Sequence, residues 1–153
     1  MAGIAGIAQA KGRVAVEQML DRIQHRGPAG REIIETEGAT LGVVWPQSQG
    51  QAGTLLREHQ TARDGGSEWH LAEARVVEGC LSLARDNLGL APLYYGRTPQ
   101  GHLCFASEVK ALLELTRHVF EFPPGSQGDG DGLSKHFELR EETGLIRRDR
   151  DQG

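Results

Sequence analysis

No stretch of this 153-residue chain is apolar for long enough to span a bilayer, and its N-terminus lacks the charged-then-apolar order of a secretory signal. Membrane insertion and export are not expected, and the cytoplasm is the expected compartment. Basic residues are in no excess: 17 Lys and Arg stand against 21 Asp and Glu, a net charge of −4, so electrostatics gives no reason to expect nucleic acid or an anionic membrane as a partner. There is no Walker loop and no G-x-G-x-x-G, which argues against ATP chemistry and a dinucleotide cofactor. Cysteine is nearly absent. Cys80 and Cys104 lack C-x-x-C spacing and are expected to be buried and reduced. His59, His70, His102, His118 and His136 show no metal-ligand spacing and are expected to be solvated, so no metal is implied. Aromatics make up only 5% of the chain. With 38% hydrophobic residues and 21 glycines, that points to a small, loop-rich core.

The length suits one domain, expected over residues 1–125, with a flexible or partly ordered tail over 126–153 because order should fade after Pro123 and Pro124. Residues 2–9 read as a strand of small and branched residues. Residues 13–24 read as a helix with Val14, Val16, Met19, Leu20 and Ile23 as its apolar stripe, and Gly27-Pro28 as a stop signal in which Gly27 accepts a left-handed cap. Strands are expected over 31–35 and 39–45, with Pro46 ending the second. Residues 47–53 read as a polar loop. Within 54–66, Leu55 and Leu56 suit a strand, whereas Ala62-Arg63-Asp64-Gly65-Gly66 is turn-like. Hairpins follow over 69–77 and 80–85 around Glu78-Gly79, and over 93–96 and 102–107 around residues 98–101; a helix over 108–115 is then capped by Ser107. The pattern reaches an α+β class with antiparallel sheet.

Several chemistry-bearing residues have plainer readings. Asp86 suits a turn-former whose carboxylate satisfies backbone amides. Tyr94, Tyr95 and Phe105 suit a core. Ser107 and Lys110 suggest a catalytic dyad, but an N-cap serine is the better account. Arg26, with His25, either neutralises helix-terminal carbonyls or lines a pocket. Asp129-Gly130-Asp131-Gly132 begins like a calcium loop, yet the twelfth position is Arg140, a cation where a bidentate Glu is required.

Four segments occur in a fixed order: Met1-Ala2-Gly3-Ile4-Ala5-Gly6-Ile7, His25-Arg26-Gly27-Pro28, residues 83–95 (LARDNLGLAPLYY) and residues 105–113 (FASEVKALL). Together they resemble the class II glutamine amidotransferase (N-terminal-nucleophile) domain of the asparagine synthetase family. The resemblance implies an αββα sandwich of two antiparallel sheets, here reduced in its middle segment. It also implies a Cys where Ala2 stands: with the initiator Met removed, that thiol attacks glutamine and the free α-amine serves as base. By the same resemblance Arg26 and Gly27 are the candidate substrate-binding residues. The departures are as telling. Leu41-Gly42 is not followed by the Arg that grips the glutamine α-carboxylate. The Asn-Gly-Glu segment of the oxyanion hole has no counterpart, nor does the Ser/Thr-Asp segment whose Asp holds the α-amino group, nor the synthetase half's Ser-Gly-Gly-x-Asp-Ser loop.

Written with Ala2, the chain is not a competent glutaminase and has no catalytic residue. The expected role is a degenerate, non-catalytic amidotransferase-like domain acting as a binding, regulatory or assembly module. The alternative is an ammonia-supplying, glutamine-hydrolysing subunit whose nucleophilic Cys has been replaced by Ala2. Expected partners are a second copy of the chain, a separate synthetase subunit or a glutamine-like small molecule. Ala2 is expected to point into a shallow cleft bordered by Arg26 and Ser107.

Overall fold

A computed structural model describes residues 2–46, 54–67 and 69–129. Two antiparallel sheets pack face to face. The first runs in the order β10-β8-β9-β1-β3-β2, built from β1 (Gly3–Ile7), β2 (Gly30–Glu35), β3 (Thr40–Trp45), β8 (Tyr94–Arg97), β9 (Leu103–Ala106) and β10 (Val119–Glu121). The second runs β11-β7-β6-β5-β4, from β4 (Thr54–Leu56), β5 (Thr61–Ser67), β6 (His70–Val77), β7 (Cys80–Arg85) and β11 (Gln127–Asp129). The fold is thus α+β, a sandwich of the Ntn-hydrolase type. Of the four layers the resemblance implies, three are seen among the described residues: both helices, α1 (Arg13–Arg22) and α2 (Val109–Leu112), lie on the first sheet.

The period-2 alternation of strands explains how β1 serves two cores at once. Ile4 enters the layer between the sheets with Leu41, Val43, Leu83, Leu93 and Phe105, while Ala5 and Ile7 face Val16, Met19 and Leu20 of α1. Gly6 shares the inner face with Ile4, and a side chain there would meet the Phe105 ring at 2.5 Å. β1 is central, paired with β3 on one side and β9 on the other.

Helix α1 stops two residues sooner than its apolar pattern suggests, and a 3-10 turn, Gln24–Arg26, follows. Val14, expected in the stripe, is 72% exposed, because only Val16, Met19, Leu20 and Ile23 share the sheet-facing arc. The Glu78-Gly79 hairpin forms as expected, with φ of 51° and 77°, the positive pair that a tight two-residue hairpin needs. Its tip abuts the other sheet's hairpin: a Cβ on Gly38 would lie 1.7 Å from the Gly79 carbonyl oxygen.

Three expectations need correction. The segment around Ala62–Gly66 is not a turn but most of β5, because Ala62 buries between the sheets and the backbone pairs with β4 and β6. Its glycines serve a register shift between Asp64 and Ser67, where Gly65 takes φ +107°. Ser107 does not cap α2; Glu108 is the cap residue, and the Ser107 hydroxyl accepts from the Ile4 amide at 2.8 Å. Cys80 is exposed, lying on the outward face of β7, whereas Cys104 is buried as expected. The start of the tail is ordered, Gln127–Asp129 pairing with β7. The Asp129-Gly130-Asp131-Gly132 motif, His136 and most of the tail lie outside the described residues, as does the loop over 47–53.

Candidate functional site

The Gly3 end of β1 gathers most of the residues singled out by sequence. Ala2 is fully buried, so it does not border an open cleft. Its carbonyl accepts a hydrogen bond from Arg26 Nη1 at 3.0 Å, and the aliphatic stem of Arg26 lies where a side chain on Gly3 would project. The Arg26 Nε donates to Glu108 Oε2, a contact made across 82 residues from a guanidinium only 11% exposed. His25 Nε2 reaches the same oxygen at 2.8 Å, and Lys110 Nζ lies 3.5 Å from Oε1. Burial alone would raise the Glu108 pKa, but hydrogen bonds from Arg26 and His25 outweigh it and hold the carboxyl below its ordinary value. Arg26 is therefore a neutralised cation, not a free anion receptor.

Gly27 has a steric reason for its identity. Its φ is −155°, extended and not the left-handed cap expected from sequence. A Cβ there would stand 2.3 Å from the Trp45 amide nitrogen and 2.4 Å from the Val44 carbonyl carbon. The close approach seats the Arg26 turn on the end of β3. A Gly27→Ala substitution should cost about 1–3 kcal/mol, the usual range for overpacking against fixed backbone, read as a lower midpoint in urea denaturation.

Sequence reasoning missed Asp64. It stands two residues beyond Ala62 on β5 and is only 2% exposed, and its Oδ1 has no hydrogen-bond partner among the described residues. Burial pushes its pKa up to about 6, against the pull of Arg26 and His70. Its electrostatic coupling to Arg26 puts it within reach of that cation's charge. His70, expected to be solvated, is half-buried here, and so is His102. The only available signal was the alternation Thr-Ala-Arg-Asp, which the following Gly-Gly masked.

The Ser-Lys dyad does not form, since Ser107 bonds the Ile4 backbone and Lys110 leans on Glu108. Cys104 is inert: burial pushes its thiol up to about 12. Asp86 lies elsewhere and is structural as expected, accepting from the amides of Leu71, Leu90 and Ala91 at 3.1, 2.9 and 3.3 Å. Burial raises its pKa, but those amides more than offset it and the net shift is downward. Tyr94 and Tyr95 are half-buried and pack on the two cores, while Phe105 is fully buried. A groove of about 700 Å³ near Leu56, His59, Arg63, Arg75 and Val77 involves none of the Ala2 corner. No helix among the described residues is long and apolar enough to cross a membrane.

A family model described as "Glutamine amidotransferase domain" matches residues 72–137. Asparagine synthetase B [glutamine-hydrolyzing] of Escherichia coli K12 is 50% identical over 44 residues, covering 29% of this chain and 8% of that protein. An Arabidopsis thaliana asparagine synthetase [glutamine-hydrolyzing] is 48% identical over 42 residues, covering 28% of this chain and 7% of its own. The Zea mays asparagine synthetase [glutamine-hydrolyzing] aligns at 25% identity over 170 residues, 80% of this chain but 29% of the relative. The chain thus spans under a third of the length of these relatives. Taken with the two-sheet sandwich and the central β1, the chain carries a class II glutamine amidotransferase-like domain related to that of the asparagine synthetases.

Proposed function

We propose that this domain is non-catalytic and serves as a binding or assembly module, with a second copy of the chain or a separate synthetase subunit as its partner in the cytoplasm. The observation that carries the reading is the closed, self-satisfied corner at Ala2. The nucleophile position holds a methyl group with no lone pair. Arg26 is spent on Glu108 and on the Ala2 carbonyl. Asp64, electrostatically coupled to Arg26, adds a buried acceptor and no donor for an oxyanion.

An apolar apex supports the assembly role. Asp86 draws the Leu71 and Leu90 amides together, and around this pin Trp69, Leu88 and Leu90 are 56, 61 and 55% exposed. Exposed large apolar groups gathered in one place mark interaction surfaces more often than isolated ones do. Sedimentation of the chain alone, and with the partner subunit, tests which partner it takes.

The purified chain is expected to release no ammonia from glutamine and to form no adduct with a glutamine-mimicking electrophile at its N-terminus; turnover in a coupled ammonia assay would overturn the reading. The competing reading, a glutamine-hydrolysing subunit with its Cys replaced by Ala2, is tested by Ala2→Cys. Each missing oxyanion donor costs about 10²–10³ in rate. The variant should accordingly stay at least about 10³-fold below an intact family enzyme, and activity near that of such an enzyme would favour the competing reading.

A further inference from the structure

Beside the apolar apex lies a cavity of about 230 Å³, with Leu71 of β6, Ala84 of β7, Asn87 and Ser126 in its walls. Arg85 and Asp86 also line it, but they are only 8 and 4% exposed. Both are engaged internally, Arg85 on the carbonyls of Gly89, Ala91 and Phe122 and Asp86 on the amides of Leu71, Leu90 and Ala91. The cavity therefore presents no exposed charge. Ser126 is 2% exposed, and its Oγ has no hydrogen-bond partner among the described residues. A buried hydroxyl in that condition is destabilising until a partner meets it. A serine side chain turns about one torsion with three staggered positions, so this hydroxyl can follow a group that enters the cavity.

The same end of the sandwich supplies a matching group. Trp69 stands two residues before Leu71, whose amide is pinned by Asp86, and it projects into solvent without lining the cavity. An indole offers one N–H donor and no acceptor, which is the complement of an unpaired serine oxygen. We propose that two copies of this chain associate through the apex, the Trp69 indole of each entering the cavity of the other and donating its N–H to Ser126 Oγ. A two-fold contact needs anchor and receptor on one surface, and this surface carries both. Charge favours a second copy as the occupant. Groups near a two-fold axis face their own copies, so an exposed charge there would meet its like, and the walls of this cavity expose none. The net charge of −4 makes two copies repel at long range, so they close best where no charge adds to that repulsion. Leu88 and Leu90, both exposed beside Asp86, then surround the exchanged indoles and exclude water from them.

This inference deepens the reading of the domain as a binding module and rests on it. It names the partner as a second copy and the anchor as Trp69.

Sedimentation velocity of the whole chain over a concentration series tests it. The parent is expected to pass from monomer to dimer. Trp69→Ala removes the anchor, whereas Ala84→Leu fills the cavity and keeps the anchor. A central aromatic anchor is worth at least about 2 kcal/mol, so each variant should raise the dissociation constant by roughly 30-fold or more. An equimolar mixture of the two variants should regain part of the association, because Trp69 of the filled copy still finds an open cavity in the other. Leu88→Ser probes the same surface from an exposed position, and it should weaken the dimer without moving the urea midpoint. Val14→Ser, on the exposed side of α1, should leave the dimer unchanged. A parent that stays monomeric, a dimer indifferent to Trp69→Ala, or a mixture no better than its components would each overturn the inference. A monomer that needs Trp69 to bind a separate synthetase subunit would also overturn it, yet leave the binding-module reading standing. Glutamine turnover by an intact dimer would do the reverse, removing the non-catalytic reading while the contact stands.

Discussion

Replacing Arg85 by Ala is expected to destabilise the domain by about 3–5 kcal/mol, the cost of breaking a buried, hydrogen-bonded charge site. The side chain is 5% exposed. Its Nε donates to the Ala91 carbonyl at 2.8 Å, Nη1 to the Phe122 carbonyl at 2.6 Å and Nη2 to the Gly89 carbonyl at 3.1 Å. These three acceptors belong to two loops that do not otherwise share a strand: the turn leading to β8 and the segment between β10 and β11. Without the guanidinium they would be stranded in a region closed by Phe122 and Leu93. Lysine should rescue little, because one ammonium cannot address three diverging carbonyls as a planar fork does. The ion pair with Glu121 at 2.9 Å is a different matter. Glu121 is 57% exposed there, so Glu121→Gln should move stability by less than about 1 kcal/mol. Urea denaturation of the three variants separates the carbonyl knot from the ion pair; equal losses for Arg85→Ala and Glu121→Gln would refute this account.

The same region shows what a sequence discloses and what it withholds. Arg85-Asp86 could be read as a turn from residue chemistry alone, and Asp86 is indeed a turn organiser, because the signal is local: a short carboxylate followed by amides within five residues. Arg85 could not be read as a knot, since its partner Phe122 lies 37 residues away. The hairpins were legible for the same local reason. Glu78-Gly79 and residues 98–101 are turn chemistry between alternating runs, and both close as expected. Ser107 misled because a serine ahead of an apolar helix is a sound local cap, yet the competing donor, the Ile4 amide, is 103 residues distant. β5 was hidden by Gly65 and Gly66, which mark a bulge in a paired strand as readily as a turn. The corner at Ala2 was half legible: the motif order placed Ala2, Arg26 and Gly27 together, but the coupling of Asp64 to Arg26 arises only through the packing of one sheet on the other.

Asp64→Asn is expected to stabilise the chain at pH 8 by about 2–3 kcal/mol and to have little effect near pH 4. The sign follows from proton binding. Asp64 ionises near 3.8 when unfolded and at about 6 when folded. Between those values the native state holds more protons than the unfolded state, so stability falls as pH rises, and the penalty is complete above pH 6. A shift of about two units corresponds to about 3 kcal/mol, and the new amide recovers most of it because it has no charge to desolvate. Asp86 and Glu108 act in the opposite sense. Their folded pKa values are depressed, so the stability they contribute is present above the unfolded carboxylate range and lost as pH falls through the folded values. Raw melting curves would superimpose these trends. The difference between parent and variant isolates Asp64, since the other two titrate alike in both. At roughly 2–4 °C per kcal/mol for a chain of this size, the melting temperature of Asp64→Asn should exceed that of its parent by about 8 °C at pH 8. The gap should close steadily between pH 6 and 4; a gap independent of pH would mean that Asp64 is not a buried titrating carboxyl.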